Sequence, residues 1–245
     1  MTREGEPPVC FRRARASFLA VPATIPSITG DFKAWHRGRP RFAFWAIALD
    51  PPAVRQAIAA ALPLFEGKLL PDWRRQPHVT LTLCGFPSAA PRQPQDWGPA
   101  ELEDALRRLS LSKRTPFTLQ IGGVGSFTTA PFLEIHDPEG ALLPLREALG
   151  RRPDDMEDSE YTPHLTLGLY GGVWPTQTLS ERMGAMHRRH PLPIPVESIS
   201  LMSYEARDIC GPLSTHGSWD LRRGIWSGLD PDPFRAPAHD RGSPG

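Results

Sequence analysis

The chain has 245 residues and carries 28 Lys and Arg against 27 Asp and Glu, a balance that argues against a binder of long duplex DNA, which needs a clustered basic excess. Its longest apolar run, residues 42–49, is far short of the roughly 20 residues of a membrane-spanning helix. Three widely spaced cysteines, Cys10, Cys84 and Cys210, describe neither a disulfide framework nor a zinc ligand set, so a reducing cytoplasm, with no membrane span, is the expected setting.

Residues 1–38 mix Pro, Arg and Gly without sustained periodicity and are expected to form an irregular N-terminal extension. The apolar stretch after the arginines at 12–15 is broken by Pro22 and Pro26 and is too short and polar for a signal peptide. The apolar run at 41–49 reads as a strand. Asp50-Pro51-Pro52 then suits a helix entry with Asp50 as cap, and 53–65 reads as the helix. Clean alternation at 78–84 gives the next strand, and 100–109, with leucines at 102, 106 and 109, an amphipathic helix. Strands at 116–127 and 131–136, a helix at 139–150 and a strand at 164–170 repeat the order of the first half. A helix at 178–190 and strands at 196–204 and 218–221 complete a domain expected over 39–224, followed by a disordered Pro/Gly/Asp-rich tail at 225–245. Two strand-helix-strand halves imply an α+β fold: two pseudo-symmetric lobes with mostly antiparallel sheets facing a central cleft and helices on the outside.

Each half contains one copy of a short pattern, Pro77-His78-Val79-Thr80-Leu81 and Pro163-His164-Leu165-Thr166-Leu167. With 29 Pro and 8 His in the chain, one Pro-His pair carries no information; two that both continue apolar-Thr-Leu mark a duplicated half-site. Strand side chains two apart share a face. His78, Thr80 and Thr82 are thus expected on one face and Val79, Leu81 and Leu83 on the other. His164, Thr166 and Gly168 should likewise oppose Leu165, Leu167 and Leu169, with Gly168 leaving room for a ligand and Thr82 adding a hydroxyl. Two imidazoles across a cleft suit a reaction that removes one proton and supplies another near neutral pH. The threonine hydroxyls could donate to phosphoryl oxygens. No metal or cofactor is needed by such a scheme.

The repeated His-x-Thr pattern resembles the 2H phosphoesterase superfamily, specifically the bacterial proteins called 2′-5′ RNA ligases or RNA 2′,3′-cyclic phosphodiesterases. The resemblance spans roughly residues 35–219. It is supported by the strand before the first motif, the Gly85-Phe86 pair after it, the PFLEI segment from Pro131 and the SLMSYEARDICGPL stretch from Ser200. It implies His78 and His164 as the catalytic pair and Thr80 and Thr166 as substrate-binding hydroxyls. The implied reaction is hydrolysis of a 2′,3′-cyclic phosphate on an RNA end or nucleotide, with 2′-5′ ligation at most its reverse, by a monomer. Alternatives are a phosphodiesterase acting on an ADP-ribose-type cyclic phosphate or on RNA 3′ ends, and a non-catalytic module that binds a nucleotide or RNA end. Many members of the ligase-like branch carry a basic residue shortly after the second motif. Here Leu169 and Tyr170 stand there, so charge neutralisation must come from elsewhere, with Arg74, Arg75 or an N-terminal basic residue as candidates.

Other patterns have plainer explanations. His187 and His190 have helical spacing for a metal but lack a completing ligand and read as a solvated helix end. Gly122-Gly123-Val124-Gly125 lies inside a strand pattern and reads as a bulge rather than a phosphate cradle. Trp35 is expected to pack against the sheet edge in preference to stacking on a base. Cys84 reads as a buried thiol on the cleft-facing side.

Overall fold

The computed structural model describes residues 8–150, 161–184, 186, 191–230 and 232–235. Among the described residues ten strands form two sheets. The first comprises β1 (Arg41–Ala48), β2 (His78–Pro87), β3 (Asp96–Trp97), β8 (Ser198–Glu205), β9 (Ser214–Asp220) and β10 (Ile225–Gly228), in the order β10-β9-β8-β1-β2-β3. The second comprises β4 (Phe117–Ser126), β5 (Pro131–His136), β6 (His164–Thr166) and β7 (Leu192–Val196), in the order β6-β5-β4-β7. Among these strands only β2 and β3 pair in parallel. The α+β architecture with two mostly antiparallel lobes is therefore present. In each lobe the motif strand flanks a three-strand unit, β8-β1-β2 in one and β4-β5-β6 in the other.

β1 is central and buried on both faces, which explains its unbroken apolar run. Ala43, Trp45 and Ile47 enter the main core, while Phe44 and Ala46 join a smaller cluster with Met202 and Leu213 on the opposite face. The main core is closed by α3 (Pro52–Ala61), α4 (Pro99–Ser112), α5 (Leu142–Leu149) and α6 (Thr176–Gly184), which contribute Val54, Leu109, Leu145 and Leu179 among others. α4 opens with Pro99 in its first turn, and the Glu101 carboxylate accepts the Gly98 N–H at 3.0 Å.

Several elements depart from the sequence expectation. Residues 9–19, expected to be irregular, form helix α1 (Val9–Leu19), burying Phe11, Ala14 and Phe18. Those positions share one helix face, a pattern hidden in the sequence by the surrounding Pro and Arg. A short helix α2 (Lys33–His36) comes next. Asp50 does not cap α3. Pro51 holds that position without a side-chain bond, and Asp50 pairs instead with Arg55 at 2.5 Å. The segment expected as one strand at 196–204 is divided, because the chain leaves edge strand β7 and enters β8 in the other sheet. Pro193 and Pro195 in β7 suit an edge. Residues 225–228, expected in the tail, form β10 on β9. α6 ends at Gly184, and His187 and His190 lie outside the described residues. No helix among the described residues is long and apolar enough to cross a membrane.

Candidate active site

The two motif strands lie against each other where the sheets meet. His78 pairs with Ala48 and Thr80 with Ala46 across β1; His164 pairs with Glu134 and Thr166 with Phe132 across β5. Directly paired residues share a face, so each His-Thr pair stands together on the side away from the main core. Val79 and Leu165 point into that core, opposite Ile47 and Leu133.

The histidines are held alike. His78 Nδ1 lies 2.8 Å from the Gln76 carbonyl and His164 Nδ1 lies 2.7 Å from the Thr162 carbonyl. A carbonyl only accepts, so Nδ1 carries the proton in both rings and Nε2 is left to exchange one. Aromatic rings brace each imidazole: Phe44 at 5.4 Å from His78, and Phe127 at 4.9 Å and Phe132 at 5.5 Å from His164. Burial pushes the His78 imidazole down to about 4, reinforced by the charges of Arg75 and His164 and opposed by the Gln76 bond. Burial lowers His164 as well, against its bond to Thr162. Both rings are therefore neutral in the free protein at neutral pH. Neither threonine hydroxyl hydrogen-bonds to another described residue.

Two side chains that sequence reasoning did not assign tie the half-sites together. The Tyr161 hydroxyl, just ahead of the second motif, donates to the Thr80 carbonyl at 2.8 Å. The buried Arg146 of α5 donates to the Leu81 carbonyl and lies 4.0 Å over the Tyr161 ring. The matched aromatics Phe44 and Phe132 were also unassigned. Their signal is positional, since each lies on the strand paired with a motif strand.

Four expectations about the cleft need correction. Two bulges interrupt the β1–β2 register: pairing steps from Ala46↔Thr80 to Trp45↔Thr82, and from Phe44↔Leu83 to Ala43↔Gly85. A bulge adds one residue and reverses facing beyond it. Thr82 consequently sits beside Trp45 on the core side, 1% exposed, and adds no hydroxyl to the cleft. Leu83 moves to the opposite cluster with Phe44 and Tyr204. Cys84 is a buried thiol, as expected, but in the main core and not on the cleft side. Gly168 gives no room for a ligand, because the Leu69 side chain fills it, with a Cβ placed there 3.0 Å from Leu69 Cδ1. The second motif strand ends at Thr166.

Elsewhere the plainer readings hold. Trp35 packs on Phe42 and Phe86 at 5.2 and 5.0 Å. The glycine run is a bulge between Ile121 and Val124 of β4, and a Cβ at Gly122 would collide with the His136 ring. Of the candidate cations, Arg74 pairs with Asp208 at 2.6 Å. The guanidinium carbon of Arg75 lies 3.9 Å over the Tyr204 ring.

Solved structures similar to this chain include Escherichia coli LigT in complex with 3′-AMP, with 18% identity, 75% of this chain and 99% of LigT covered, and a TM-score of 0.47. TT0787 of Thermus thermophilus has 23% identity, covers 74% of this chain and 98% of its own, and scores 0.48. Kluyveromyces marxianus Usb1 has 13% identity, coverages of 72% and 97%, and a score of 0.40. No curated protein matches the sequence. The family model of the 2′-5′ RNA ligase superfamily matches residues 50–208, a stretch that includes both motifs, all of the second sheet and β2, β3 and β8 of the first, and the chain belongs to that superfamily of 2H phosphoesterases.

Proposed function

We propose that the protein hydrolyses 2′,3′-cyclic phosphates on nucleotides or RNA ends by general acid–base catalysis between His78 and His164. The observation that carries this reading is the matched pair of half-sites: two imidazoles with Nδ1 bound to a carbonyl and Nε2 free, each beside a threonine hydroxyl. One Nε2 takes a proton from water as its oxygen bonds to phosphorus, and the other gives a proton to the ribose oxygen as the P–O bond breaks. A phosphomonoester and a free ribose hydroxyl result. Thr80 and Thr166 donate to the non-bridging oxygens and hold the phosphoryl group in line. Attack by an RNA 5′-hydroxyl in place of water gives the ligation that the family name describes, by the same proton transfers.

The scheme passes both proton transfers through the two imidazoles and needs no metal. Wild type is expected to open 2′,3′-cyclic AMP at an unchanged rate with EDTA present. His78→Ala and His164→Ala should each lose about 10²–10⁴-fold in kcat. Equal rates for wild type and the double variant would remove the enzymatic reading and leave a module that binds the same ligand without turnover.

A further inference from the structure

We propose that Arg75 is the cation that receives the substrate's phosphoryl oxygens, a role that rests on the two-histidine reading of the same cleft. Arg75 lies three residues before His78, in the segment leading into β2. Its guanidinium carbon is 3.9 Å from the Tyr204 ring and 5.5 Å from the Trp73 ring. Tyr204 pairs with Phe42 across β8 and β1 and lies 6.1 Å from Phe44, which in turn lies 5.4 Å from His78. A continuous aromatic surface thus leads from Arg75 to the first motif on the motif-bearing face of the sheet.

Among the described residues no carboxylate pairs directly with this charge, although the Tyr204 side chain hydrogen-bonds to it and Asp208 acts on it at longer range. Arg75 forms no ion pair with a described residue, and its Nε is buried with no hydrogen-bond partner among them. Asp208, the acid nearby, is already paired with Arg74. A half-buried guanidinium with a buried Nε is ordinarily satisfied by a carboxylate or a bound anion. Stacking on Tyr204 fixes the plane of its fork, which matches two phosphoryl oxygens at once. The charge of Arg75 reaches His78 and helps to hold that imidazole neutral; an arriving phosphoryl anion offsets this charge and eases protonation of the ring.

Titration with inorganic phosphate and turnover of 2′,3′-cyclic AMP test the assignment in the full-length chain. Arg75→Met is expected to weaken phosphate binding at least about tenfold and to lower kcat/KM by about 10²-fold, the scale of one lost oxyanion donor. Arg75→Lys, which keeps charge but loses the fork, should recover part of the phosphate affinity and less of kcat. Arg107→Ala, exposed on α4 and paired there with Asp104, should stay within about twofold of wild type in both measurements, and His78→Ala should bind phosphate while failing to turn over. If Arg75→Met does not give a native circular dichroism spectrum, Arg75→Gln is read by the same criteria. Phosphate affinity and kcat/KM within about twofold of wild type in the folded variant, or no phosphate binding by wild type at millimolar concentration, overturns the proposal. An inert wild type that still loses phosphate affinity on Arg75→Met would defeat the proposed function and leave the anion site standing.

Discussion

A main-chain carbonyl two positions before each histidine determines which ring nitrogen can exchange a proton, and burial sets the pH at which it does so. An unfolded imidazole titrates near about 6.5, whereas His78 in the fold is held at about 4. Above about pH 6.5 the ring is neutral in both states and costs nothing. As pH falls towards 4 the unfolded chain takes up a proton that the folded chain refuses, so stability declines. The loss approaches about 3 kcal/mol for this 8%-exposed side chain. His164 moves stability in the same direction. Urea unfolding at pH 7 and pH 5 should show this decline, and His78→Ala should make it shallower; an unchanged slope would place the acid sensitivity elsewhere. Catalysis tracks the same titrations. With both imidazoles lowered, the proton-bearing partner becomes scarcer as pH rises, so kcat/KM should form a bell with its maximum below about pH 6.5. A profile that stays level from about pH 5 to about pH 9 would contradict the two-histidine scheme.

At the scale of the strands, the facing of His78, Thr80, His164 and Thr166 was legible because each His-x-Thr unit is paired in continuous register with its neighbouring strand. Beyond Thr80 the facing was hidden. The bulge at Leu81 has no Gly or Pro beside it to mark it, whereas the one at Cys84 is followed by Gly85 at φ 108; period-two reasoning carried past Leu81 put Thr82 on the wrong side. The glycine-rich bulge of β4 was legible for the opposite reason. Its residues lack the side chains that would strike His136 and Phe132 across the ladder. Gly217 in β9 plays a similar part: a Cβ there would meet the Trp226 ring and lie 2.9 Å from the Ser227 carbonyl oxygen. Trp226 also packs edge-on against Trp45 of the core, at 5.5 Å between ring centroids, so it has little freedom to retreat. Gly217→Ala is expected to cost about 1–3 kcal/mol and to lower the melting temperature by about 2–4 °C per kcal/mol. Calorimetry showing no shift would mean that β10 accommodates the methyl group.

For the molecule as a whole, the sequence conveyed two related halves but not the contacts that join them. The Tyr161–Thr80 bond, the reach of Arg146 to β2 and the covering of lobe two by α1 all link residues far apart in the chain, and local periodicity has no access to such distances. Phe11 stacks on His136 at 5.0 Å and packs with Phe132, a wall of the His164 ring. Phe11→Ala is expected to destabilise the fold by about 3 kcal/mol. It should also loosen His164, so that activity falls at temperatures well below the melting transition; full activity with unchanged stability would show that α1 is dispensable. The position of α1 also orders the assembly of the protein. α1 leaves the ribosome before any strand of the second sheet has been made, and its apolar side has no surface to rest on until β4 and β5 pair. Contacts of such sequence separation form late, so a helix synthesised ahead of its docking surface docks among the last. Until it does, Phe127 and Phe132 stand open beside the second half-site, and a nascent chain passes through a stage in which the His164 ring lacks part of its backing.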